Sequence, residues 1–313
     1  MAYAVRKFLS VLATLLLISL LTFAAFQILP GNPASIILGA DADPLQVAAL
    51  EAKLGLDQPL VTRYVNWMLN LFQGQLGDSL RYQRPVSTLM AASLPVTVSL
   101  SALSILITIL VAVPVSVFLA KYNNGRFATF LSALTQLGVS VPSFWVGMML
   151  ILVFSVTLRW FPSGDFTPFS EGFGRAVRSL TLPACAISIG TSAVVIRYLK
   201  NTLLDQAKMD YVRTARSKGL TKNAALFRHI LRNALLPTIT ILGMMLSEVL
   251  GGSIIVENVF NLPGIGRLII SGIGNRDLPM VQALVFYLAV TVVALNALVD
   301  VLYTLVDPRI QLR

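Results

Sequence analysis

Charge is what this sequence has least of. Asp, Glu, Lys and Arg make up 12% of its 313 residues, about half the share of a typical soluble domain. The few charges are bunched, and long runs carry none. That distribution excludes an ordinary soluble enzyme, a disordered chain and a fibrous repeat. Cysteine and histidine are almost missing, with one of each, Cys185 and His229. A lone cysteine forms no internal disulfide. Cys185 sits in an uncharged apolar run and reads as a small buried side chain. One His and one Cys cannot build a His/Cys metal cluster. The motifs of nucleotide and hydrolase chemistry are missing too: no G-x-x-x-x-G-K-[ST], no G-x-S-x-G and no H-E-x-x-H occurs. Gly264-Ile265-Gly266 lacks the strand and third glycine of a dinucleotide fingerprint and reads as a loop. If this chain takes part in active transport, the energy comes from a partner or an ion gradient.

What is present is apolar. Hydrophobic residues make up 56% of the chain, and the mean hydropathy is +0.78. A bilayer span needs about 20 mostly apolar residues. Six windows qualify: Phe8–Leu29, Leu94–Ala120, Phe127–Leu158, Leu180–Ile196 (a helix expected over 180–199), Leu235–Val256 and Val281–Val306. Pro142 is expected to kink the third. The first follows Arg6 and Lys7 like a signal peptide, but its apolar core is too long and no clear cleavage site follows. It reads as an uncleaved span. The predicted organisation is a first span within 1–29, an extramembrane segment over 30–93, a membrane core over 94–306 and a tail over 307–313. Apolar spacing inside 30–93 predicts two amphipathic helices, Pro44–Leu54 and Gln58–Phe72. The fold class is all-α, polytopic, with six transmembrane helices.

The net charge of +10 fits either a nucleic-acid binder or a membrane protein with basic cytoplasmic loops. So much apolar sequence favours the second, with no nucleic acid as partner. Counting Lys and Arg in alternate loops gives fourteen on the side of both termini and nine on the other. Both termini are therefore expected in the cytoplasm, and segment 30–93 outside.

The 200–232 loop is basic yet patterned. Lys200, Lys208, Arg213, Arg216, Lys218, Lys222, Arg228 and Arg232 alternate with Tyr211, Val212, Ala215, Leu220, Leu226, Ile230 and Leu231. Gly219 permits a turn after a short helix, Thr221 can cap a second one, and Pro237 can mark where the fifth span starts. The residues alone allow two short helices that dock into a partner, or a solvated basic loop.

The stretch Tyr211-Val-Arg-Thr-Ala-Arg-Ser-Lys-Gly-Leu220, followed by Arg228-His-Ile-Leu-Arg-Asn-Ala-Leu-Leu-Pro237, resembles the coupling loop of ABC importer permeases, in particular the peptide/opine/nickel branch. The general Glu-Ala-Ala-x-x-x-Gly motif falls on Arg213, Thr214, Ala215 and Gly219, with arginine in place of glutamate. Leu29-Pro-Gly-Asn-Pro33, Gly55-Leu-Asp-Gln-Pro-Leu60, Gly138-Val-Ser-Val-Pro-Ser-Phe-Trp145, Gly251-Gly-Ser-Ile-Ile-Val-Glu-Asn-Val-Phe260, Leu262-Pro-Gly-Ile-Gly266 and Asn296-Ala-Leu-Val-Asp300 through Asp307-Pro-Arg309 extend the likeness over nearly the whole chain. The large first outer loop suggests the B-type member of a B/C permease pair.

The resemblance implies a type I ABC importer permease in a prokaryotic inner membrane. It implies a second, C-type permease, two ATP-binding cassette subunits that hold ATP and magnesium, and an extracytoplasmic substrate-binding protein. This chain itself would bind no cofactor or metal, carry no catalytic residue and lie in membrane lipid. Tyr211, Arg213, Thr214, Ala215, Arg216, Lys218, Gly219 and Leu220 would form the ATPase contact. The substrate class implied is peptides, nickel or other metal chelates, opines, glutathione-like compounds or glycosides.

Among single residues, Glu248 and Asp300 are carboxylates inside predicted spans, which makes them functional candidates. Glu248 either lines a path, with Ser247 and Ser140, or bonds a neighbouring helix. Asp300 reads as a partner for a basic group or a cap. A rival reading is an ion-coupled secondary transporter that uses Glu248 and Asp300. Glu257, Asn258, Arg276 and Asp277 are expected beside the loop between spans five and six, as binding-protein or gate contacts, or simply as solvated loop. Gly138, Gly147, Gly251 and Gly252 are expected to admit close helix approach.

Overall fold

The computed structural model describes residues 2–28, 33–38, 42–123 and 125–306. Its helices are α1 (Ala2–Ile28), α2 (Pro33–Leu38), α3 (Pro44–Leu54), α4 (Leu60–Phe72), α5 (Val86–Lys121), α6 (Arg126–Ser140), α7 (Ser143–Leu150), α8 (Phe173–Gln206), α9 (Asp210–Ser217), α10 (Lys222–Ala225), α11 (Leu231–Val259), α12 (Ile265–Gly274) and α13 (Leu278–Val306). Five helical stretches are long and apolar enough to cross a membrane: Arg6–Ala25, Val86–Lys121, Phe173–Gln206, Lys222–Val259 and Leu278–Val299. The pair Arg126–Ser140 and Ser143–Thr157 makes a sixth if taken as one broken span.

That pair bends by 106°, a break rather than the expected kink. Pro142 has no N–H and disfavours helical backbone in the residue before it. Val141 is accordingly extended (φ −92°, ψ 124°), and the chain restarts when Trp145 N–H donates to the Pro142 carbonyl. Helix ends also differ from the charge-free windows. α5 begins at Val86, α8 runs from Phe173 to Gln206, and α13 begins at Leu278. The windows mark the most apolar stretches, whereas backbone bonding continues past them, into uncharged sequence at the starts of α5 and α13 and past Arg175, Arg178 and Lys200 in α8. Pro237, expected at a helix start, lies inside α11. The helix already begins upstream, through α10 and a π-helical turn at Leu226–Ile230. Gly264 opens α12, so Gly264-Ile265-Gly266 is a helix start rather than a loop. The tail 307–313 lies outside the described residues.

The chain divides into two compact units. One comprises the residues up to Pro95 together with Gly264–Val293. Its core joins Val86, Ile265, Ile269, Met280, Val281 and Leu284. A second anchor is aromatic. Tyr64 and Trp67 of α4 meet Phe23 of α1 at 5.4 and 6.0 Å between ring centres, and Trp67 meets Phe286 of α13 at 5.6 Å. Ser19 and Tyr64 share a 2.7 Å hydrogen bond. Residues 77–86 form a tight hairpin, closed where Val86 N–H donates to Gly77 O and Ser79 N–H to Arg84 O.

The other unit covers Val96–Pro263 and the rest of α13. The buried helix α8 is its axis, in contact with α6, α7 and α11. Leu100, Leu180, Ile187, Val249, Val256 and Phe260 fill one part of the core. Val117, Leu199, Leu203, Val212, Leu226 and Ile230 fill another. α5 lays Thr97, Ser104, Thr108 and Ser116 into the interior. Their small hydroxyls allow close helix approach, and several return their bond to their own helix, as Ser104 to Leu100 O and Thr108 to Ser104 O, both 2.8 Å. Thr108 also meets Thr191 of α8 at 2.7 Å. Two of the four singled-out glycines sit at such approaches. A Cβ on Gly147 would lie 2.9 Å from the Phe260 ring, and one on Gly138 would lie 3.3 Å from Ala193. Gly251 and Gly252 are exposed, with no described atom close to where a Cβ would stand.

Candidate functional site

The patterned loop folds as the short-helix reading requires, though more compactly than 200–232. Helices α8 and α10 take up its ends, leaving 207–221 as the connecting segment around α9. One fully buried side chain, Val212, pins α9 among Leu199, Leu203, Leu226 and Ile230. Tyr211 is half-buried, and its hydroxyl donates to Gln206 Oε1 at 2.8 Å. The end of α9 is a Schellman turn. Gly219 N–H donates to Arg216 O at 2.9 Å, and Leu220 N–H to Ala215 O at 3.3 Å. That turn needs a left-handed residue, and Gly219 supplies it at φ +90°. Thr221 then caps α10, its Oγ1 accepting from Ala224 N–H at 3.2 Å. The turn leaves Arg213, Thr214, Arg216, Lys218 and Gly219 exposed, with Ala215 and Leu220 half-buried. Met209 and Phe227, in the same stretch, are also exposed.

The carboxylates fall into two kinds. Glu248 is exposed on α11. Its neighbour Ser247 donates to Asn296 Oδ1 at 2.9 Å. Ser140 closes α6 and makes only a long 3.4 Å bond to Gln136 O. No described hydrogen bond joins Ser140, Ser247 and Glu248 to one another. Asp300 lies on α13, and its side chain is outside the described residues.

Glu257 departs from expectation. It lies within α11, with 0% of its surface exposed. Thr97 Oγ1 donates to its Oε1 at 2.7 Å, and Ser253 Oγ contributes a 3.5 Å contact. A carboxylate so enclosed is held by the donors around it and cannot be touched from outside in this conformation. Asp277 is likewise enclosed, at 1% exposure. It caps α13 through Met280 N–H (3.4 Å) and clamps the 77–86 hairpin by accepting from Ser79 Oγ, Leu80 N–H (3.1 Å) and Arg81 N–H (3.2 Å). It is a structural pin, not a contact surface. Asn258 and Arg276 are exposed, and Arg276 adopts φ +52°. Sequence reasoning missed Thr97, Ser79 and Asn296, the partners of these groups. They lie 160, 198 and 49 residues away from Glu257, Asp277 and Ser247, so no local pattern could have singled them out.

The arrangement holds six potential spans, an exposed basic segment pinned to their helices and no reactive constellation among the described residues. Comparison with known families decides what such a chain is. The profile of the binding-protein-dependent transport system inner membrane component matches residues 112–312, and that of its N-terminal region matches residues 1–101. The chain belongs to this family. It is a permease subunit of an ABC importer, integral to the inner membrane. A Brucella abortus relative named as a peptide transport system permease protein is 41% identical over 310 residues, 99% of each chain. The oligopeptide transport system permease protein AppB of Bacillus subtilis is 36% identical over 313 residues, again 99% of each. Among solved structures, the crystal structure of an amino acid ABC transporter with histidines shares the fold at a TM-score of 0.50 and 19% identity. The match covers 72% of this chain and 95% of that one. Nothing in these likenesses supports the ion-coupled alternative. Permeases of the family work with ATPase subunits and a substrate-binding protein, and the path itself needs alternating access rather than chemistry.

Proposed function

We propose that this permease carries peptides or related small solutes, nickel chelates among them, and that α9 with the turn at Gly219 is where ATPase motion enters it. The observation that carries the coupling reading is the form of segment 207–221. A helix anchored through Val212, with Tyr211 half-buried beside it, presents Arg213, Thr214, Arg216 and Lys218 outward. The names of the relatives support peptides. In this reading a C-type permease completes a heterodimer and two ATPases hold ATP and magnesium. An extracytoplasmic binding protein delivers the solute, with Asn258 and Arg276 among the surfaces it meets. Ser140, Ser247 and Glu248 border the path. Both termini face the cytoplasm in this reading, which the excess of Lys and Arg on their side supports.

The test is uptake of a labelled dipeptide into vesicles holding the natively purified complex. Uptake that needs ATP and the binding protein, and that ignores a proton ionophore, supports the reading. Uptake that follows the ion gradient without ATP overturns it. A membrane-impermeant maleimide applied to intact cells checks the orientation: K218C should stay unlabelled while R81C reacts.

A further inference from the structure

Helix α4 presents three faces, not two. Tyr64, Trp67 and Leu71 turn inward, where the first two meet the rings of Phe23 and Phe286. Thr62, Asn66 and Asn70 form an exposed polar edge. Between them runs a third face of Val61, Val65, Leu69 and Phe72, at spacings of four, four and three residues, which places them on one side of a helix. These four are 75%, 47%, 52% and 80% exposed. An unsatisfied apolar face of this size beside a segregated polar edge is the pattern of a helix lying in a bilayer boundary.

The anchors of α4 give its depth. Its contacts on α1, Ser19 and Phe23, fall inside the apolar span Arg6–Ala25. Ser19 is nine residues before the end of α1, about 14 Å at 1.5 Å per residue. Its contact on α13, Phe286, falls inside the apolar span Leu278–Val299, eight residues or about 12 Å from that helix's start. Two spans thus report the same level, below the ends of both. At that level Leu20 and Leu21 of α1 are also uncovered. A helix held there meets acyl chains before it meets water.

We infer that α4 is an interfacial membrane helix, its Val61–Val65–Leu69–Phe72 face immersed in lipid and its Thr62–Asn66–Asn70 edge turned to the headgroups and water. Segment 30–93 is then in part a membrane element rather than a wholly extramembrane one.

Single cysteines at V65C and L69C, with N66C as the polar-edge control, test this in a C185A background. The full chain, with whatever copurifies, is labelled with bimane and reconstituted in mixed phosphatidylethanolamine and phosphatidylglycerol. Quenching by lipid brominated along the acyl chain is compared with quenching by aqueous iodide. The bromolipid-to-iodide ratio is expected to be at least about fivefold higher at positions 65 and 69 than at 66, because helical faces differ in depth by several ångströms. Iodide quenching all three alike would put α4 in water and overturn the inference. Quenching of positions 65 and 69 by neither agent would also overturn it, since a protein partner would then cover the face. Two apolar-face positions are used so that one poorly folded variant does not decide the result.

Discussion

Helices α4 and α9 are both short and amphipathic and both lie between spans in the sequence, yet folding leaves them with opposite surfaces. α4 buries aromatic rings against α1 and α13 and leaves valine, leucine and phenylalanine uncovered. α9 buries one valine and leaves Arg213 and Arg216 along it, and Lys218 just beyond it, uncovered. The period of the apolar residues is helical in both, so period alone does not say what such a helix meets. What remains exposed after the anchor is made does: hydrocarbon suits the first, and a polar or acidic protein surface suits the second.

The largest effect is expected from V212D, which breaks the anchor of α9. Placing a carboxylate among Leu199, Leu203, Leu226 and Ile230 costs several kcal/mol. ATP-driven uptake should fall by about two orders of magnitude while ATP hydrolysis continues, as assays of both on one preparation would reveal. Normal uptake would show that docking of α9 is dispensable. W67A breaks the anchor of α4 instead. Loss of a half-buried ring shared with Phe23, Tyr64 and Phe286 should destabilise by about 2–3 kcal/mol. A lowered midpoint of thermal unfolding in detergent, with the ratio of uptake to hydrolysis preserved, would separate the two helices cleanly. An unchanged midpoint would mean the aromatic cluster contributes little.

G219V asks how far α9 depends on its turn. No atom crowds a Cβ at Gly219, so the cost is conformational, about 1–3 kcal/mol for φ +90°. A drop in uptake of about tenfold is expected, with G219N recovering part of it because asparagine tolerates left-handed backbone better. Equal activity of the valine and asparagine variants would remove the turn from the mechanism. T221A is the mildest probe. Loss of the cap should cost about 1 kcal/mol, visible as faster amide exchange at Ala224 and at most a twofold change in uptake. Unaltered exchange would mean the cap is idle.

Much of this fold is legible from local chemistry. Pro44–Leu54 forms with the predicted bounds because Asp43 caps it through Leu45 N–H, Pro44 suits the first turn, and Gly55 ends it at φ +65°. Gly219 and Thr221 act as their residue types suggest. The second amphipathic helix starts at Leu60 rather than Gln58, because Pro59 stands at its cap. Charge-free windows locate the spans but not their ends, since Arg175, Arg178 and Lys200 are as helical as the leucines between them. Pro142 tells where the third span breaks. Its angle depends on α6 and α7 each packing on α8, a segment distant in sequence. Glu257 is misread for the same reason: its nature as an enclosed acceptor depends on Thr97, far away along the chain.

The helical run from Lys222 to Val259 spans 38 residues, about 57 Å at 1.5 Å per residue, nearly twice the thickness of bilayer hydrocarbon. One end is tied by the Thr221 cap to the turn that follows α9, and the other carries Glu257. Its two irregularities, the π-turn at Leu226–Ile230 and Pro237, both lie toward the first end. Beyond them the run continues as an unbroken α-helix to Val259. The part beyond Pro237 holds 22 residues, about 33 Å, so tilting it by about 10° carries its far tip through about 6 Å. Were ATPase motion to enter beside α9, as proposed above, such a tilt would move the opposite end without a relay of side chains in between.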